Sequence, residues 1–279
     1  MSERPKFEIL CVTMNQHDFS KITEMNIHSN VVFANQCDHT SYEEFSFDDG
    51  HIAKMVSTET RGVGKNRNLA LIYGNAEYCL FADDDLRYVD DVENVVLREF
   101  ESHPDADVFI FHFDTDSERK QKKYKKTRKV TPWEQMPWGG FRIAVKLDSI
   151  RKKNIWFNTL FGGGCIFPSG EDSLWLLEAK KKGLRFYVSK ETIGTISFAE
   201  STWFSGYDEK FYFGKGAYYQ ASHPKTILLW KLYFAFRTKK MSNMKHREKM
   251  EWMFIGANCF RQSISFDDYC KEQQMNGFR

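Results

Sequence analysis

The stretch that most limits what this chain can fold into is an apolar run that ends in three acids. Residues 78–86 read YCLFADDDL, so a segment rich in Cys, Leu and Phe leads directly into Asp83, Asp84 and Asp85. Adjacent carboxylates repel one another and need water or a cation, which places the triplet at the exit of a buried strand. In an open α/β sheet, that exit borders the crevice in which ligands bind.

The spacing of the triplet allows two interpretations. Asp83 and Asp85 are separated by one residue, and a turn between them could aim both carboxylates at one hard cation, which prefers oxygen ligands. The alternative is a solvated turn that caps a helix beginning near Asp90. The triplet alone does not decide between a metal site and a capping turn.

The composition predicts a globular protein of a reducing compartment. Of 279 residues, 25 are Phe and 16% are aromatic, enough for a sizeable core. With 40 basic and 38 acidic residues, the net charge of +2 argues against a nucleic-acid binder that works through global charge. The six cysteines form no C-x-x-C pair, as expected of free thiols. No secretory signal or membrane-spanning apolar run is visible, so we expect a cytoplasmic location.

Apolar segments alternate with helical patterns in the first third of the chain. Residues Phe7–Met14 and 30–34 are predicted strands, and residues 18–28 carry apolar side chains at helical spacing. This alternation predicts an α/β fold with a mostly parallel central sheet. The second strand leads into Asp38, which could accept a hydrogen bond from the imide N–H of a uracil or simply lie in a surface turn.

A basic loop precedes the next helix. Arg61, Lys65 and Arg67 place three positive charges within seven positions at a predicted helix N-terminus, where backbone N–H groups favour anions. The segment matches neither a P-loop nor a dinucleotide-binding fingerprint. A phosphate site and a solvated helix start therefore both remain open.

The middle of the chain adds further elements. Residues 90–101 are predicted to form a helix and residues 107–113 a strand, with His112 as a core histidine. Residues 119–129 are strongly basic and predict either a solvated loop or a clamp for an anionic acceptor or lipid head group. Residues 141–146 alternate as a strand does.

A second acidic motif follows three glycines. The loop ends at Glu171 and Asp172, in the first turn of a helix predicted to run to about residue 182. Acids at this position stabilise the helix dipole, which is a sufficient structural reason for them. The functional alternative is that one carboxylate faces the crevice as a general base.

Together these motifs resemble the family 2 glycosyltransferases, in particular the bacterial members that build surface polysaccharides. The resemblance covers roughly residues 6–205 and depends mainly on F-A-D-D-D at 81–85 as a D-x-D motif and on G-E-D at 170–172. It implies that Asp83 and Asp85 hold Mg²⁺ or Mn²⁺ and that Asp172 deprotonates the acceptor, with Glu171 beside it. The nucleotide sugar would contact Thr13, Asn15, Asp38, Arg61, Lys65, Arg67 and Asp83. Asp38 matches the uracil-reading acid only loosely.

One departure from the family pattern concerns the metal. Family members often place a histidine after the last core strand as another ligand, whereas residues 195–202 contain none. The identity of a third protein ligand is therefore open.

The resemblance also implies a fold and a reaction. The fold would be GT-A, a Rossmann-like sheet flanked by helices, with a catalytic domain over residues 1–205 (nucleotide-sugar half about 1–115, acceptor half about 130–205) and a helical extension over residues 206–279. The reaction would be inverting, metal-assisted transfer, with a UDP-sugar as the expected donor. The acceptor would be a saccharide or lipid-pyrophosphate-linked saccharide hydroxyl, in surface polysaccharide or capsule synthesis. A nucleotidyltransferase and a non-catalytic sugar or lipid-head-group binder are the alternatives.

The extension contains an apolar segment at residues 227–236, followed by Arg237, Lys239 and Lys240. It is too short to span a bilayer. It predicts either a helix lying in an anionic membrane interface, at the inner face of the plasma membrane, or a helix packed on the catalytic domain. The sequence does not predict the oligomeric state.

Overall fold

The computed structural model describes residues 4–115, 123–131, 133–134, 136–196, 206–239 and 241–277. Sequence features at residues 116–122 and 197–205, and Lys240, lie outside these ranges. The chain divides into two compact units. Among the described residues, the first unit takes those of 1–61, 65–157 and 175–200, and the second takes those of 62–64, 158–174 and 201–279.

The first unit is built on a mixed β-sheet. Its strands are β1 (Phe7–Met14), β2 (Asn30–Gln36), β3 (Ser41–Ser46), β4 (Ile52–Thr58), β5 (Tyr78–Asp83), β6 (Leu86–Tyr88), β7 (Val108–Thr115), β8 (Arg128–Lys129), β9 (Ile143–Lys146) and β10 (Phe186–Ile196). They lie in the order β3-β4-β2-β1-β5-β9-β7-β10-β6, with β8 beside β10. The predicted α/β class is confirmed.

A parallel block of four strands forms one half of this sheet. β4, β2, β1 and β5 pair in parallel, so their carboxyl ends share one edge. β9 then runs antiparallel to both β5 and β7, which makes the sheet mixed. Every β1 residue from Phe7 to Thr13 is buried, as expected for a strand covered on both faces.

Of the five described helices of this unit, three follow the sequence, one is shorter than predicted, and the one at residues 147–152 has no counterpart among the predictions. They are α1 (Lys21–Glu24), α2 (Val63–Tyr73), α3 (Val92–Ser102), α4 (Leu147–Lys152) and α5 (Glu171–Lys181), where the first turns of α2 and α5 belong to the second unit. The helix predicted over residues 18–28 is one turn only. Asn26 adopts the left-handed conformation (φ 56°) and ends it, while Met25 and Ile27 are buried by the loop.

His112 is the core histidine that the sequence predicts. Its side chain is buried and lies between the Arg142 guanidinium, 2.9 Å from Nδ1, and the Tyr124 backbone N–H, which donates to Nε2 at 2.8 Å. Burial and then the charge of Arg142 lower the pKa of His112 to about 4. The imidazole is therefore neutral at physiological pH and supports the sheet.

The second unit is helical. Its helices are α6 (Glu209–Ser222), α7 (Ile227–Arg237), α8 (His246–Gln262) and α9 (Phe266–Gly277). α6 and α8 pack with backbone contact, because a Cβ on Gly216 would lie 2.0 Å from the Met253 carbonyl oxygen and one on Gly256 would lie 1.9 Å from that of Phe213. Among the described helices, none has the length and apolarity needed to cross a bilayer.

The loop at residues 158–174 belongs to this helical unit. Phe161 and Phe167 pack against Phe260, with ring centroids 5.6 and 5.7 Å apart, and Phe167 stacks on Phe213 at 6.0 Å. A boundary drawn near residue 205 from the sequence separates this loop from those helices. The division into catalytic domain and extension stays a prediction.

Candidate functional site

The carboxyl ends of the parallel strands bring polar side chains together at one edge. Thr13, Asn35 and Ser57 are register neighbours on β1, β2 and β4. The Asn35 side-chain amide donates to Ser57 Oγ and to the Gln16 carbonyl, both at 3.0 Å. These buried hydrogen bonds fix the loop that follows β1, because unpaired amides would be costly there.

Thr13 holds the middle acid of the triplet. Its hydroxyl donates to Asp84 Oδ2 at 2.5 Å, while the Asn66 amide donates to the Thr13 carbonyl at 3.2 Å and to that of Ala34 at 2.6 Å. Asn15, two residues further on, is exposed, has a left-handed backbone (φ 52°) and donates its N–H to the Gln36 carbonyl at 2.9 Å. The sequence gives no role to Asp84, which is the middle residue of the D-x-D motif, or to Asn66, which belongs to neither acidic motif.

Arg67 is turned inward onto the first acid. Its guanidinium donates to Asp83 Oδ1 at 2.9 Å and lies 5.3 Å from the Phe157 ring centroid, and only 4% of the side chain is exposed. Phe157 in turn stacks on Trp175 at 5.5 Å, and Trp175 meets Phe81 edge to face. Arg67 thereby orients Asp83 from within the core, whereas Arg61 and Lys65 are exposed.

One backbone N–H group at the N-terminus of α2 already donates a hydrogen bond within the protein. The Val63 backbone N–H, one of the first of the helix, donates to the Gly163 carbonyl at 2.9 Å. The sequence leaves open whether the N–H groups at this helix start bind a phosphate or are solvated. The exposed side chains of Arg61 and Lys65 are thus the parts of this motif best placed for a phosphate.

Asp85 lies beside a cavity of about 300 Å³. The lining includes Lys21, Asp84, Arg87 and Thr195 as well as Asp85 itself. Asp85 is exposed, but the surrounding protein desolvates its carboxyl, and this effect, followed by the charges of Asp83 and Asp84, raises the pKa of Asp85 to about 6. Lys21 donates to the Asp84 carbonyl at 3.3 Å and pairs with Glu24 at 2.8 Å. Nothing in the sequence singled out Lys21 or Arg87, since both look like ordinary surface cations.

Asp38 is exposed at the end of β2 and forms a small cluster with its neighbours. Its carboxylate pairs with His39 Nδ1 at 3.0 Å, and that hydrogen bond lowers the pKa of Asp38. Cys37, Asp38 and His39 place their potential ligand atoms within 4.8 Å of one another, and among the described residues this is the only such group of three. The three acids Asp83, Asp84 and Asp85 do not form such a group, and Arg67 and Thr13 engage the first two of them.

The second acidic motif lies in the helical unit. Glu171 and Asp172 occupy the first turn of α5, as predicted, and both are partly buried. A Cβ on Gly162 (φ 103°) would come within 2.9 Å of Glu171 Cδ, so this loop position must be glycine. Burial lowers the pKa of Lys215, while the charge of Glu171 opposes that shift.

Replacing Arg67 with Met should destabilise the fold. The change leaves Asp83 without its buried ion pair and removes the contact with Phe157, and we expect a loss of roughly 1–3 kcal/mol in the free energy of unfolding, because Asp83 is 34% exposed and recovers some hydration. Urea denaturation measures the change. The exposed Arg61→Met variant is the control and should stay within about 0.5 kcal/mol of the parent. Equal stability of the two variants would contradict this role.

A comparison with protein families decides what the chain is. Residues 38–167 match the model described as Glycosyl transferase family 2. These residues therefore carry a family 2 glycosyltransferase domain. The chain is a glycosyltransferase. A search among curated proteins gives no match.

Solved structures support the fold of this glycosyltransferase. It is similar to S. aureus TarS 1–349 in complex with UDP-GlcNAc, with 16% identity and a TM-score of 0.59 over 94% of this chain and 93% of that one. For the same fragment without that ligand, the identity is 16% and the TM-score is 0.56, again over 94% of this chain and 93% of that one. For the complex of this fragment with UDP, the identity is 17% and the TM-score is 0.56, over 95% of this chain and 77% of that one. The predicted GT-A fold is confirmed.

Proposed function

We propose that this glycosyltransferase transfers a sugar, with inversion, from a nucleoside-diphosphate sugar to a hydroxyl of a saccharide or lipid-pyrophosphate-linked saccharide. The observation that carries the proposal is the edge of the parallel block. There Arg67 holds Asp83, the first acid of the D-x-D motif, and Asp85, the second acid, adjoins a cavity lined by Lys21 and Arg87. A UDP-sugar is the favoured donor, since the similar S. aureus TarS fragment is described with UDP-GlcNAc and with UDP.

The donor side divides into residues that touch the nucleotide and residues that position them. We assign Arg61 and Lys65, both exposed, to the diphosphate. Arg67 and Thr13 position the acidic residues instead of contacting the nucleotide, because their side chains bind Asp83 and Asp84. Two further donor contacts, Asp38 and Asn15, stay proposals; both are exposed beyond strands of the parallel block.

The donor set fits Mg²⁺ or Mn²⁺. Carboxylate oxygens are the ligands of hard cations, and Mg²⁺ is commonly held by one or two carboxylates together with substrate phosphates. Asp85, with Asp83, would hold the ion. Desolvation and then the charges of Asp83 and Asp84 raise the pKa of Asp85, and a positive charge at this position would favour its ionised form. A bound ion would stabilise the negative charge that develops on the leaving diphosphate.

The acceptor hydroxyl needs a base. We assign this role to Asp172, with Glu171 as its neighbour. Support comes from their place in the first turn of α5, which fixes the side chains on a rigid element. Proton transfer to Asp172 as the hydroxyl oxygen attacks the anomeric carbon, in line with departure of the diphosphate, is a single displacement and inverts that carbon.

We further propose a biological setting for this reaction. Synthesis of a bacterial surface polysaccharide, such as a capsule, fits the resemblance of the motifs. All six cysteines are free, as suits a reducing compartment, and a cytoplasmic location at the inner face of the plasma membrane would give access to lipid-linked acceptors.

A panel of nucleotide sugars tests the proposed reaction. The protein is incubated with each sugar and with Mn²⁺ or EDTA, and nucleotide release is followed. Slow release of UDP from one UDP-sugar, dependent on the cation, is the expected result. Pyrophosphate release from a nucleoside triphosphate would identify a nucleotidyltransferase instead. Binding without release of any nucleotide, including in the presence of saccharide acceptors, would identify a non-catalytic binder.

A further inference from the structure

Helix α7 is apolar on two opposite sides. One side packs inside the helical unit, where Ala235 is buried, Trp230 stacks on Tyr219 at 6.0 Å and Phe234 contacts Tyr219 at 5.8 Å. These contacts lie within the helical extension, so the alternative of packing on the catalytic domain stays a prediction. They account for four of the nine apolar residues that the helix carries.

The other side is exposed. Five large side chains form what we call the α7 face: Leu228 (51% exposed), Leu229 (67%), Leu232 (40%), Tyr233 (48%) and Phe236 (63%). Their spacing of one, four, five and eight residues from the first member puts them on a single stripe. Surface apolar residues are common singly, whereas a contiguous stripe of this kind marks an interaction surface.

The charge around the face points to the partner. Residues 210–247 contain nine Lys or Arg and no Asp or Glu, so the remaining 241 residues hold 31 basic against 38 acidic side chains. The segment that carries the α7 face is thus one of two strongly basic parts of the chain, the other being residues 119–129. Lys225, Arg237 and Lys239 are exposed at the two ends of the helix, and the Arg237 guanidinium donates to the Tyr233 hydroxyl at 3.1 Å.

We propose that the α7 face inserts into the interfacial region of an anionic lipid bilayer, with α7 lying in the plane of the membrane. Apolar and aromatic side chains on one face with basic residues at its borders are the pattern of such helices. A second copy of the chain fits less well, because two such segments would bring like charges together. The proposal concerns docking and is independent of the transfer reaction.

Vesicle flotation of the full chain tests the docking. Vesicles of phosphatidylcholine alone are compared with vesicles of phosphatidylglycerol and phosphatidylcholine in a 3:7 ratio, at low and at high salt. The chain should float with the anionic vesicles, and high salt should weaken the binding. The double variant Leu229→Ser, Phe236→Ser should lower the partition coefficient tenfold or more. Replacing Lys225, Arg237 and Lys239 with Gln should lower it roughly fivefold per charge, on anionic vesicles only.

The control removes an exposed apolar side chain elsewhere. Met275→Ser, on α9 and 74% exposed, should bind as the parent does, and circular dichroism should show all variants folded. Transfer to a water-soluble acceptor should be unchanged in the α7 variants, which separates docking from catalysis. A parent chain that stays with the unbound fraction at low salt overturns the proposal. So does a parent dimer that the Leu229→Ser, Phe236→Ser variant dissociates, since the face would then join two copies.

Discussion

Asp172→Asn is expected to abolish sugar transfer while nucleotide binding stays nearly intact. An asparagine has the size of the aspartate but cannot accept the proton of the acceptor hydroxyl, and general-base catalysis contributes about 10²–10⁴ in rate. Because Asp172 lies in the first turn of α5, the change also removes a favourable contact with the helix dipole, of roughly 0.3–1 kcal/mol, which is too small to unfold the protein. Steady-state transfer rates and UDP titration calorimetry measure the two properties separately.

The same helix offers a matched control. Glu178→Gln also removes one carboxylate from α5, at a surface position where Glu178 pairs with Lys182 at 2.7 Å. We expect its transfer rate to equal that of the parent, because surface ion pairs contribute little. If the Asp172→Asn variant keeps full turnover, another group is the base and the assignment is wrong. A similar loss in the Glu178→Gln variant would indicate that the helix as a whole is sensitive.

Asp85→Asn is expected to remove the effect of Mn²⁺ on donor binding and to lower kcat/KM on the order of 10²–10³. An amide is a much poorer ligand of a hard cation than a carboxylate, and charge stabilisation by a bound cation is worth several kcal/mol in the transition state. Asp85 is exposed, so we expect little change in stability. Calorimetric titration of the UDP-sugar with and without Mn²⁺, followed by initial rates, measures both effects.

An acid outside the triplet provides the comparison. Asp48 is exposed between β3 and β4, and Asp48→Asn changes the net charge by the same amount as Asp85→Asn. It should leave the Mn²⁺ response unaltered. Retention of the full Mn²⁺ response in the Asp85→Asn variant would mean that the triplet is the solvated capping turn of the alternative interpretation. The transfer reaction would then need no cation at this position.

The parts of the fold that the sequence predicts well are those whose burial is uniform along the element. β1 has the predicted bounds, and β5 ends at Asp83, as the change from apolar residues to acids indicates. α5 is helical over the predicted range and stops before Gly183, which has a φ of 82°. In each of these elements, the apolar pattern and the residues that end the element predict the same bounds. The local conformational preference therefore agrees with the tertiary packing.

Other elements leave no such signal. β3 is almost wholly exposed and β6 has three residues, so neither shows a run of apolar side chains. β9 alternates as predicted, but its antiparallel direction between β5 and β7 depends on the path of the chain. For α1, the periodicity was right about which side chains are buried and wrong about the backbone that buries them.

The candidate site shows the same division. Residue types and order predicted the acids at the end of β5 and in the first turn of α5, because motif spacing records chemistry directly. The inward turn of Arg67 onto Asp83 could not be predicted, since a basic side chain next to a glycine-containing loop reads as a phosphate ligand. Packing around Phe157 decides which of the three nearby basic side chains points into the core. That packing involves residues distant in sequence, so it could not be predicted from the local pattern.

The two ends of the sheet bear on how this protein can associate. β3, the outermost strand on one side, carries Glu43 and Glu44, and β6 on the other side is three residues long. A charged margin and a short one both discourage strand addition by another molecule. Fibril-like growth and dimers formed by joining two sheets into one are thereby disfavoured, so a homo-oligomer of this enzyme would have to assemble through helical or loop surfaces.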